Sequence, residues 1–138
     1  MGEGRSHGAV EVQRSMEART RLFRQIQGWF EEIDFLATPT LAAPALPADQ
    51  DPFQPVMIDG RNAGGLRDGW DPYTHPFNLA GHPAITLPNG FTAGGLPAGG
   101  LQLVAPWLED ARLLSLAAAY EAAQAESEGS DGGRRPPL

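Results

Sequence analysis

The sequence predicts an α/β fold, with helices layered on a mixed sheet as a partial α/β/α arrangement. Three observations support this class. Segments of helical periodicity lie near both ends of the chain, short apolar runs of strand length lie between them, and Gly or Pro bounds each run. Short buried strands interleaved with helices are typical of a layered α/β architecture.

The first helix is predicted from about Ala9 to Glu32, after a frayed terminus over residues 1–8. Its apolar residues recur at helical spacing and form one stripe, widened by Leu22 and Trp29: Val12, Met16, Phe23, Ile26, Phe30 and Ile33. The opposite face carries four arginines: Arg14, Arg19, Arg21 and Arg24. We interpret that face as solvated rather than phosphate-binding. Gly28 is expected to weaken the helix by about 1 kcal/mol and to allow close packing.

Three apolar runs are predicted to be buried strands: Ile33–Ala37, Ala84–Leu87 and Leu101–Ala105. A small edge strand is predicted at Val56–Ile58. The remainder of residues 38–72 is expected to be irregular, because its prolines interrupt both helices and strands. An irregular segment of this length usually serves function or is disordered.

Two further helices are predicted in the second half of the chain. A short one lies within Tyr73–Ala80 and ends at Gly81, since Gly commonly follows a helix C terminus. The other opens at Trp107–Asp110, whose acidic residues suit a helix N terminus. It continues to about residue 125, and the Gly- and Pro-rich tail over 126–138 is expected to be disordered.

Composition excludes several classes of function. The formal net charge of −7 argues against a nucleic-acid-binding protein, and the absence of cysteine excludes disulfides and thiolate chemistry. No apolar run approaches the ~18–20 residues that cross a membrane. The N terminus lacks the apolar core of a signal peptide, so a cytoplasmic location is expected. All ten basic residues are arginine, and any mechanism that needs a lysine base cannot run on this chain alone.

No catalytic or metal-binding residue emerges from the motifs. His75 and His82 are seven positions apart and separated by Gly81, which does not suit a metal site. None of the serines lies in a Gly-Ser elbow, and the glycines of residues 94–100 are not followed by the Lys and Ser/Thr of a phosphate-binding loop. No metal and no cofactor are therefore expected.

Several polar residues border the long irregular segment and the glycine-rich region: Thr38, Thr40, Tyr73, Thr74 and Asn78. Polar side chains at strand ends commonly line pockets in α/β sheets. They also commonly cap turns, and the pattern leaves both roles open.

Three segments of the sequence resemble the C-terminal part of the amidase signature family. They contain Asp34-x-Leu36-x-x-Pro39-Thr40, then Asn78-Leu79-x-Gly81-x-Pro83-Ala84, and then Gly95-Leu96-Pro97 followed by Leu101-Gln102-Leu103-Val104. The resemblance runs from about Arg14 to Glu126 and would cover about the last quarter of a complete family member. It makes residues 9–125 the C-terminal part of an amidase domain.

The resemblance implies hydrolysis of carboxamide C–N bonds through an acyl-enzyme. The family uses two serines, one with a cis peptide, and a lysine, and none of these maps onto this sequence. A serine without its base is not activated, so no catalytic residue is carried over. The resemblance implies a substrate-pocket framework instead, to which Thr40, Asn78 and Gly81 of its motifs belong. Together with Tyr73, one of the polar residues that border the irregular segment, these form the predicted substrate-pocket framework.

One departure from the family pattern lies before the last strand. Gly99-Gly100 supplies one residue more than the usual Gly-Leu-Pro-x-Gly-Leu-Gln spacing. The extra residue either forms a bulge or flips the strand register, and glycine favours the bulge.

The leading hypothesis is a C-terminal fragment of an amidase-signature hydrolase, inactive alone, from a truncated or split reading frame. The alternatives are a non-catalytic binding or assembly module and a piece of the tRNA-dependent amidotransferase subunit that belongs to the same family. The expected partners are a small amide substrate, once the missing N-terminal part completes the site, and a chain that covers an exposed sheet edge. Neither nucleic acid nor membrane is expected.

Overall fold

A computed structural model describes residues 7–127 as a three-stranded sheet packed between helices. The helices are α1 (Ala9–Trp29), α2 (His75–Ala80) and α3 (Asp110–Ser127), and a π-helix spans Leu66–Trp70. The strands are β1 (Leu36–Pro39), β2 (Met57–Ile58), β3 (Arg61–Asn62), β4 (Ala84–Leu87) and β5 (Leu101–Val104). Residues 1–6 and 128–138, which hold most of the termini predicted to be frayed or disordered, lie outside the described residues.

The central strand of the sheet is β5, which lies between β1 and β4. Both neighbours run antiparallel to it, with Leu101 opposite Pro39 on one side and Leu87 on the other. Every strand pair within residues 7–127 is antiparallel. The predicted α/β class and the layered arrangement are confirmed.

The two faces of β5 bury different clusters, because successive side chains of a strand point to opposite faces. On one face, the strand residues Leu87, Leu103 and Ala105 pack against Leu113 and Ala117 of α3. On the other face, Val104 packs with Ile26 of α1 and with Phe77 and Ala80 of α2. A salt bridge between Arg112 and Asp34 further ties α3 to the segment that precedes β1.

Most predicted elements are present, with shifted ends. Strand β4 has the predicted bounds, whereas β1 begins three residues later than predicted. The short helix α2 ends at Gly81, whose φ of +79° is the left-handed conformation that favours glycine at this position. Helix α1 ends three residues early, at Trp29, and α3 begins at Asp110.

The first half of α1 departs from the prediction of a continuous packed stripe. Val12 and Met16 are 55% and 54% exposed, whereas Ile26, on the same stripe near the C-terminal end of α1, is fully buried. Gly28 also faces open space, because a Cβ placed there would meet no atom within 4 Å. The expectation that Gly28 allows close packing is therefore wrong.

The long segment after β1 contains more regular structure than predicted. The expected edge strand is present as β2, and it pairs with β3, which the sequence did not predict, across the Asp59-Gly60 turn. The π-helix was also not predicted. None of the helices in the described chain is long and apolar enough to cross a membrane.

Candidate functional site

An open cleft of 590 Å³ lies at the end of the sheet where β1 and β4 finish and β5 begins. Its walls come from the segment after β1, the π-helix, the end of β4, the connector between β4 and β5, and Gln124 of α3. The lining is mainly apolar: Leu41, Ala45, Trp70, Leu87, Pro88, Phe91, Pro97 and Ala98, with Thr86, Asn89, Gln124 and glycines 90, 99 and 100. A concave, mainly apolar surface with a few polar groups is typical of a small-molecule site.

Two left-handed glycines form the part of the cleft where β5 begins. Gly99 and Gly100 have φ of +79° and +82°. A Cβ on Gly100 would lie 2.9 Å from Thr86 Cγ2 and 3.1 Å from Thr40 Oγ1, so a larger residue would push the two threonines apart. This close approach lets the connector lie directly against the ends of β1 and β4.

The additional glycine leaves the strand register intact. Leu101 pairs with Leu87 and Pro39, and Leu101 and Leu103 face α3 as an uninterrupted apolar pair. A flipped register would have placed Gln102 on that face, so the alternative of a register flip is wrong. The two glycines turn the chain before the first paired residue of β5.

Trp70 forms one wall of the cleft and is held from two directions. Its indole Nε1 donates a hydrogen bond to the Pro44 carbonyl at 3.0 Å, and its own carbonyl accepts from the Ala42 amide at 2.8 Å. The preceding residue, Gly69, packs so tightly that a Cβ would lie 2.6 Å from the Ala63 carbonyl oxygen. These contacts fix the irregular segment 41–45 beside the cleft, although its prolines prevent regular structure.

A row of polar groups crosses the sheet next to the cleft, on the face opposite α3. Gln102 is 3% exposed, and its Nε2 donates to Thr38 Oγ1 at 2.9 Å and to the Tyr73 carbonyl at 3.0 Å. Thr86 lies opposite Gln102 in the sheet, and its Oγ1 accepts a hydrogen bond at 3.3 Å from Thr40 Oγ1, two residues beyond Thr38. Because a buried amide must find partners, this row fixes the relation between β1, β5 and the segment before α2.

A second set of polar groups lines the α3 side of the cleft. The Gln124 side-chain amide donates to Tyr120 Oη at 2.7 Å and to the Pro88 carbonyl at 3.4 Å. The Tyr120 hydroxyl donates to Asn89 Oδ1 at 3.4 Å. Together they hold α3 against the start of the connector.

The structure brings two of the four predicted framework residues into the polar row. Thr40 contributes its hydroxyl and Tyr73 its carbonyl. Asn78 is exposed on α2, and Gly81 ends that helix beside a smaller pocket of 350 Å³ between α1 and the end of α2. None of the four lines the 590 Å³ cleft. Their role in a substrate pocket stays a prediction.

Sequence reasoning missed Gln102, Thr86 and Trp70 as site residues. A signal for Gln102 was available, because a polar residue between two leucines in a buried strand requires a buried partner. Trp70 gave no such signal, since nothing in an irregular segment indicates which way its side chain points.

Serine and histidine side chains in the described chain form no catalytic arrangement. The hydroxyls of Ser15 and Ser115 each donate to the carbonyl four residues earlier in their own helix, at 3.0 and 2.9 Å. His75 Nε2 lies 3.2 Å from Asp71 Oδ1, and no described hydrogen bond joins this imidazole to a hydroxyl group. Over residues 7–127, no three metal-ligating side chains lie close enough together to hold a metal ion.

His82 is a buried histidine with a structural setting. It is 5% exposed and lies between the rings of Phe23 and Phe30, with ring centroids 5.1 and 5.8 Å away. Its Nε2 lies 3.1 Å from Gln27 Oε1, and since that oxygen only accepts, Nε2 carries the proton. Nδ1 is buried with no hydrogen-bond partner among the described residues. Burial lowers the pKa of His82 from its ordinary value of 6.5, because desolvation disfavours the imidazolium.

Known proteins similar to this chain are amidases and related enzymes. The family model described as Amidase matches residues 3–114. A glutamyl-tRNA(Gln) amidotransferase subunit from Thermus thermophilus is 41% identical over 116 residues, which are 83% of this chain and 22% of that protein. An acylamidase from Rhodococcus erythropolis is 35% identical over 122 residues, which are 88% of this chain and 25% of that protein. The chain thus spans about a quarter of the length of these curated relatives.

Solved structures give the same result. A bacterial aryl acylamidase of the amidase signature family superposes with a TM-score of 0.75 and 28% identity, over 99% of this chain and 27% of that chain. A 6-aminohexanoate cyclic dimer hydrolase complexed with substrate gives a TM-score of 0.69 and 26% identity, over 96% of this chain and 27% of that one. Because the family match extends over most of the chain and the fold agrees, this chain belongs to the amidase signature family.

Proposed function

We propose that this chain is the C-terminal part of an amidase-signature hydrolase that cleaves carboxamide C–N bonds through an acyl-enzyme. The serines and the lysine of that chemistry belong to the portion of the family fold outside this chain, which contains no lysine. The contribution of this chain is one wall of the substrate site. By itself it is expected to be catalytically inactive, because the Ser15 and Ser115 hydroxyls donate to helix carbonyls and form no described hydrogen bond with a base.

The observation that carries this proposal is the apolar cleft at the end of the sheet. Trp70, Phe91 and Leu87 offer a surface suited to an apolar acyl or amine group, while Asn89 and Gln124 place polar atoms beside it. A concave apolar surface with a few convergent polar groups is the usual form of a small-molecule site. We therefore infer that the substrate is a carboxamide with an apolar group the size of a ring or a short chain.

A chimeric enzyme tests the proposal. Residues 9–127 of this chain would replace the matching segment of the Rhodococcus erythropolis acylamidase, and hydrolysis of anilides and aliphatic amides would be measured. We expect the chimera to hydrolyse amides and the 138-residue chain alone to show none. A folded chimera without activity, or clear turnover by the chain alone, would overturn the proposal.

Substitution of Trp70 then tests the role of the cleft. In the chimera, Trp70→Ala removes an apolar wall, so we expect KM for amides with apolar groups to rise about tenfold, corresponding to about 1.4 kcal/mol of lost binding. Trp29→Ala is the matched control, because Trp29 is an exposed tryptophan that lines none of the pockets described above. Equal kinetics for the two variants would remove the cleft from the substrate site.

A second candidate is a portion of a glutamyl-tRNA(Gln) amidotransferase subunit. It is favoured by the 41% identity to the Thermus thermophilus protein of that name. Under this alternative, the chimera would hydrolyse simple amides poorly, whereas the same segment placed in the Thermus thermophilus protein would support its amidotransferase activity. A cytoplasmic location, expected from the sequence, is compatible with both candidates and stays a prediction.

A further inference from the structure

The connector between β4 and β5 contains a small hairpin, residues 90–98, that is held by its own hydrogen bonds; we call it the cleft hairpin. Phe91 and Pro97 face each other across it as an antiparallel bridge. Two backbone hydrogen bonds flank that bridge, from the Ala98 amide to the Gly90 carbonyl at 3.0 Å and from the Thr92 amide to the Leu96 carbonyl at 2.8 Å. Every hydrogen bond described for residues 90–98 joins two residues of the hairpin, so no such bond fixes it to the rest of the described chain.

The cleft hairpin is separate from the β4–β5 ladder, although it follows the last pair of that ladder closely. The bond from the Ala105 amide to the Pro83 carbonyl sets the phase of the ladder. Since bonded and non-bonded pairs alternate, Leu87 and Leu101 are a bonded pair. An unbroken ladder would make the bridged pair of the hairpin, four residues further on, a bonded pair as well. It is instead a non-bonded pair, so the ladder is interrupted between the sheet and the hairpin.

Glycines lie at both places where the cleft hairpin joins the sheet. Gly90 has φ of +83°, and a Cβ placed on it would meet no atom within 4 Å. Gly99 has φ of +79°, while the next residue, Gly100, is anchored because its carbonyl accepts a hydrogen bond from the Thr40 amide at 3.0 Å. Small residues at the ends of a segment commonly absorb the backbone rotation when that segment moves. The hairpin can therefore pivot at Gly90 and Gly99, with Gly100 fixed to the sheet.

A pivot of the cleft hairpin would change the width of the cleft. Gly90, Phe91, Pro97 and Ala98 line the cleft, so the hairpin supplies one of its walls. Trp70 belongs to the same lining and is held by hydrogen bonds from two directions. The cleft therefore combines a fixed aromatic wall with a wall that is joined to the sheet through glycines.

The additional glycine before β5 gives the hairpin equal links to the sheet on its two sides. Three residues, 88–90, separate Leu87 from Phe91, and three, 98–100, separate Pro97 from Leu101. With the usual family spacing the second link would hold one residue fewer, and the hairpin would lie about 3.3 Å closer to the sheet on that side. The shorter link would draw the hairpin toward the ends of β1 and β4 and narrow the cleft.

We propose that the cleft hairpin is a movable wall, and that the additional glycine makes this cleft accept larger apolar groups than the usual spacing allows. The longer link lets the hairpin retreat from a bulky group and close on a small one, with Phe91 in contact with either. The inference rests on the proposed function in so far as that function assigns the cleft to the substrate. It goes beyond that function by naming the element that determines substrate size.

Spin labels test the movement without any enzyme activity. The chain contains no cysteine, so Leu96→Cys with Ser115→Cys labels the hairpin and α3, and Gln25→Cys with Ser115→Cys gives a reference pair on α1 and α3. All three positions are exposed. In the 138-residue chain we expect the distance distribution of the hairpin pair to be at least about twofold broader than that of the reference pair, and deletion of Gly99 to narrow it. Equal widths for the two pairs, or a hairpin width that the deletion leaves unchanged, would overturn the inference.

The size preference is measured in the acylamidase chimera, with amides whose apolar group grows from methyl to naphthyl. Deletion of Gly99 restores the usual spacing, so we expect kcat/KM for the naphthyl amide relative to the methyl amide to fall at least about tenfold. Deletion of Gly94 is the matched control, because it shortens the hairpin by one residue at its exposed tip, away from the cleft lining. The same size preference in both deletion variants would overturn the inference.

The two proposals fail in different ways. An active chimera whose size preference does not respond to deletion of Gly99 would contradict this inference and leave the proposed function standing. A folded but inactive chimera would contradict the proposed function. The size preference is then obtained from equilibrium binding of the same amides to the 138-residue chain, followed by the NMR shifts of the Leu87 and Ala98 amides, and a preference unchanged by deletion of Gly99 would overturn the inference.

Discussion

Gly100 shows how one residue shapes the cleft. Its φ of +82° lies in the left-handed region, and its Cα faces the side chains of Thr86 and Thr40 at the ends of two different strands. Glycine is therefore required here for two reasons: the backbone conformation is left-handed, and there is no room for a Cβ. Gly90, also in the cleft lining, has φ of +83° but open space around it, so only the first reason applies to it.

We predict that Gly100→Ala destabilises the chain by about 2–4 kcal/mol, of which about 1–2 kcal/mol is the left-handed conformation and the remainder the crowding of the two threonines. Gly90→Ala should cost only the conformational part, about 1–2 kcal/mol. Urea unfolding of both variants measures the difference. Equal losses would mean that Thr86 and Thr40 move aside freely.

His82 is a buried neutral histidine with a defined pH response. Its lowered pKa means that, between the folded-state pKa and 6.5, the unfolded chain binds a proton that the folded chain does not. Stability contributed by His82 is thus fully present above pH 6.5 and is lost as the pH falls through that window. Protonation would also place an N–H at Nδ1, which has no acceptor among the described residues.

We expect the free energy of unfolding to fall below about pH 6.5 by at most about 1.4 kcal/mol per pH unit on account of His82. His82→Gln removes the titrating group and should flatten the profile in the range just below pH 6.5, whatever its effect on stability at higher pH. His75→Gln, the control, removes a half-exposed imidazole and leaves the His82 contribution in place. Unfolding free energies are measured across this pH range. If His82→Gln kept the wild-type slope of unfolding free energy against pH, His82 would not be the group that causes the pH dependence.

At the scale of elements, the sequence was most informative where local chemistry fixes structure. Strand β4 has its predicted bounds because Pro83 and Pro88 enclose an apolar run, and α2 ends at Gly81 because glycine accepts positive φ. The π-helix and the position of Trp70 could not be predicted, since they depend on contacts with residues 42–63 that no local pattern encodes. The same limit applies to the cleft, which is formed by residues far apart in the sequence, from Leu41 to Gln124.

Helix α1 shows a second limit of local pattern. Its apolar stripe is continuous in sequence, yet only the C-terminal half is buried, around Ile26. Periodicity indicates which face can pack, and it does not indicate whether a neighbour is present to pack against. The exposed Val12 and Met16 are consistent with a surface that the rest of the family fold covers.

Helix α1 also allows a stabilising substitution. Gly28 faces open space in the last turn, so Gly28→Ala should stabilise the chain by about 0.5–1 kcal/mol through helix propensity and lower entropy of the unfolded state. Gly81→Ala is the matched control: it also meets open space, but its φ of +79° should make it destabilising by about 1 kcal/mol. Thermal unfolding measures whether each variant is more or less stable than the wild type. A destabilising Gly28→Ala would indicate packing at that position that the structure does not contain.

At the scale of the whole molecule, the exposed apolar surface separates a portion of an enzyme from an independent binding module. Val12, Met16, Trp107, Leu108 and Leu114 are each more than half exposed. Large exposed apolar areas on a protein mark contact surfaces or lead to association. We therefore expect the 138-residue chain to bind the dye ANS and to associate with increasing concentration, while the acylamidase chimera does neither.

Substitution on α1 tests whether the exposed apolar side chains cause the ANS binding and the association. Val12→Gln with Met16→Gln should lower ANS fluorescence of the chain about twofold without lowering its melting temperature, because neither side chain contributes to a buried cluster. Arg14→Gln is the control on the opposite face. A chain that is monomeric at all concentrations, melts cooperatively and gives no ANS fluorescence would instead support a non-catalytic module. Such behaviour would mean that the exposed apolar side chains need no covering partner.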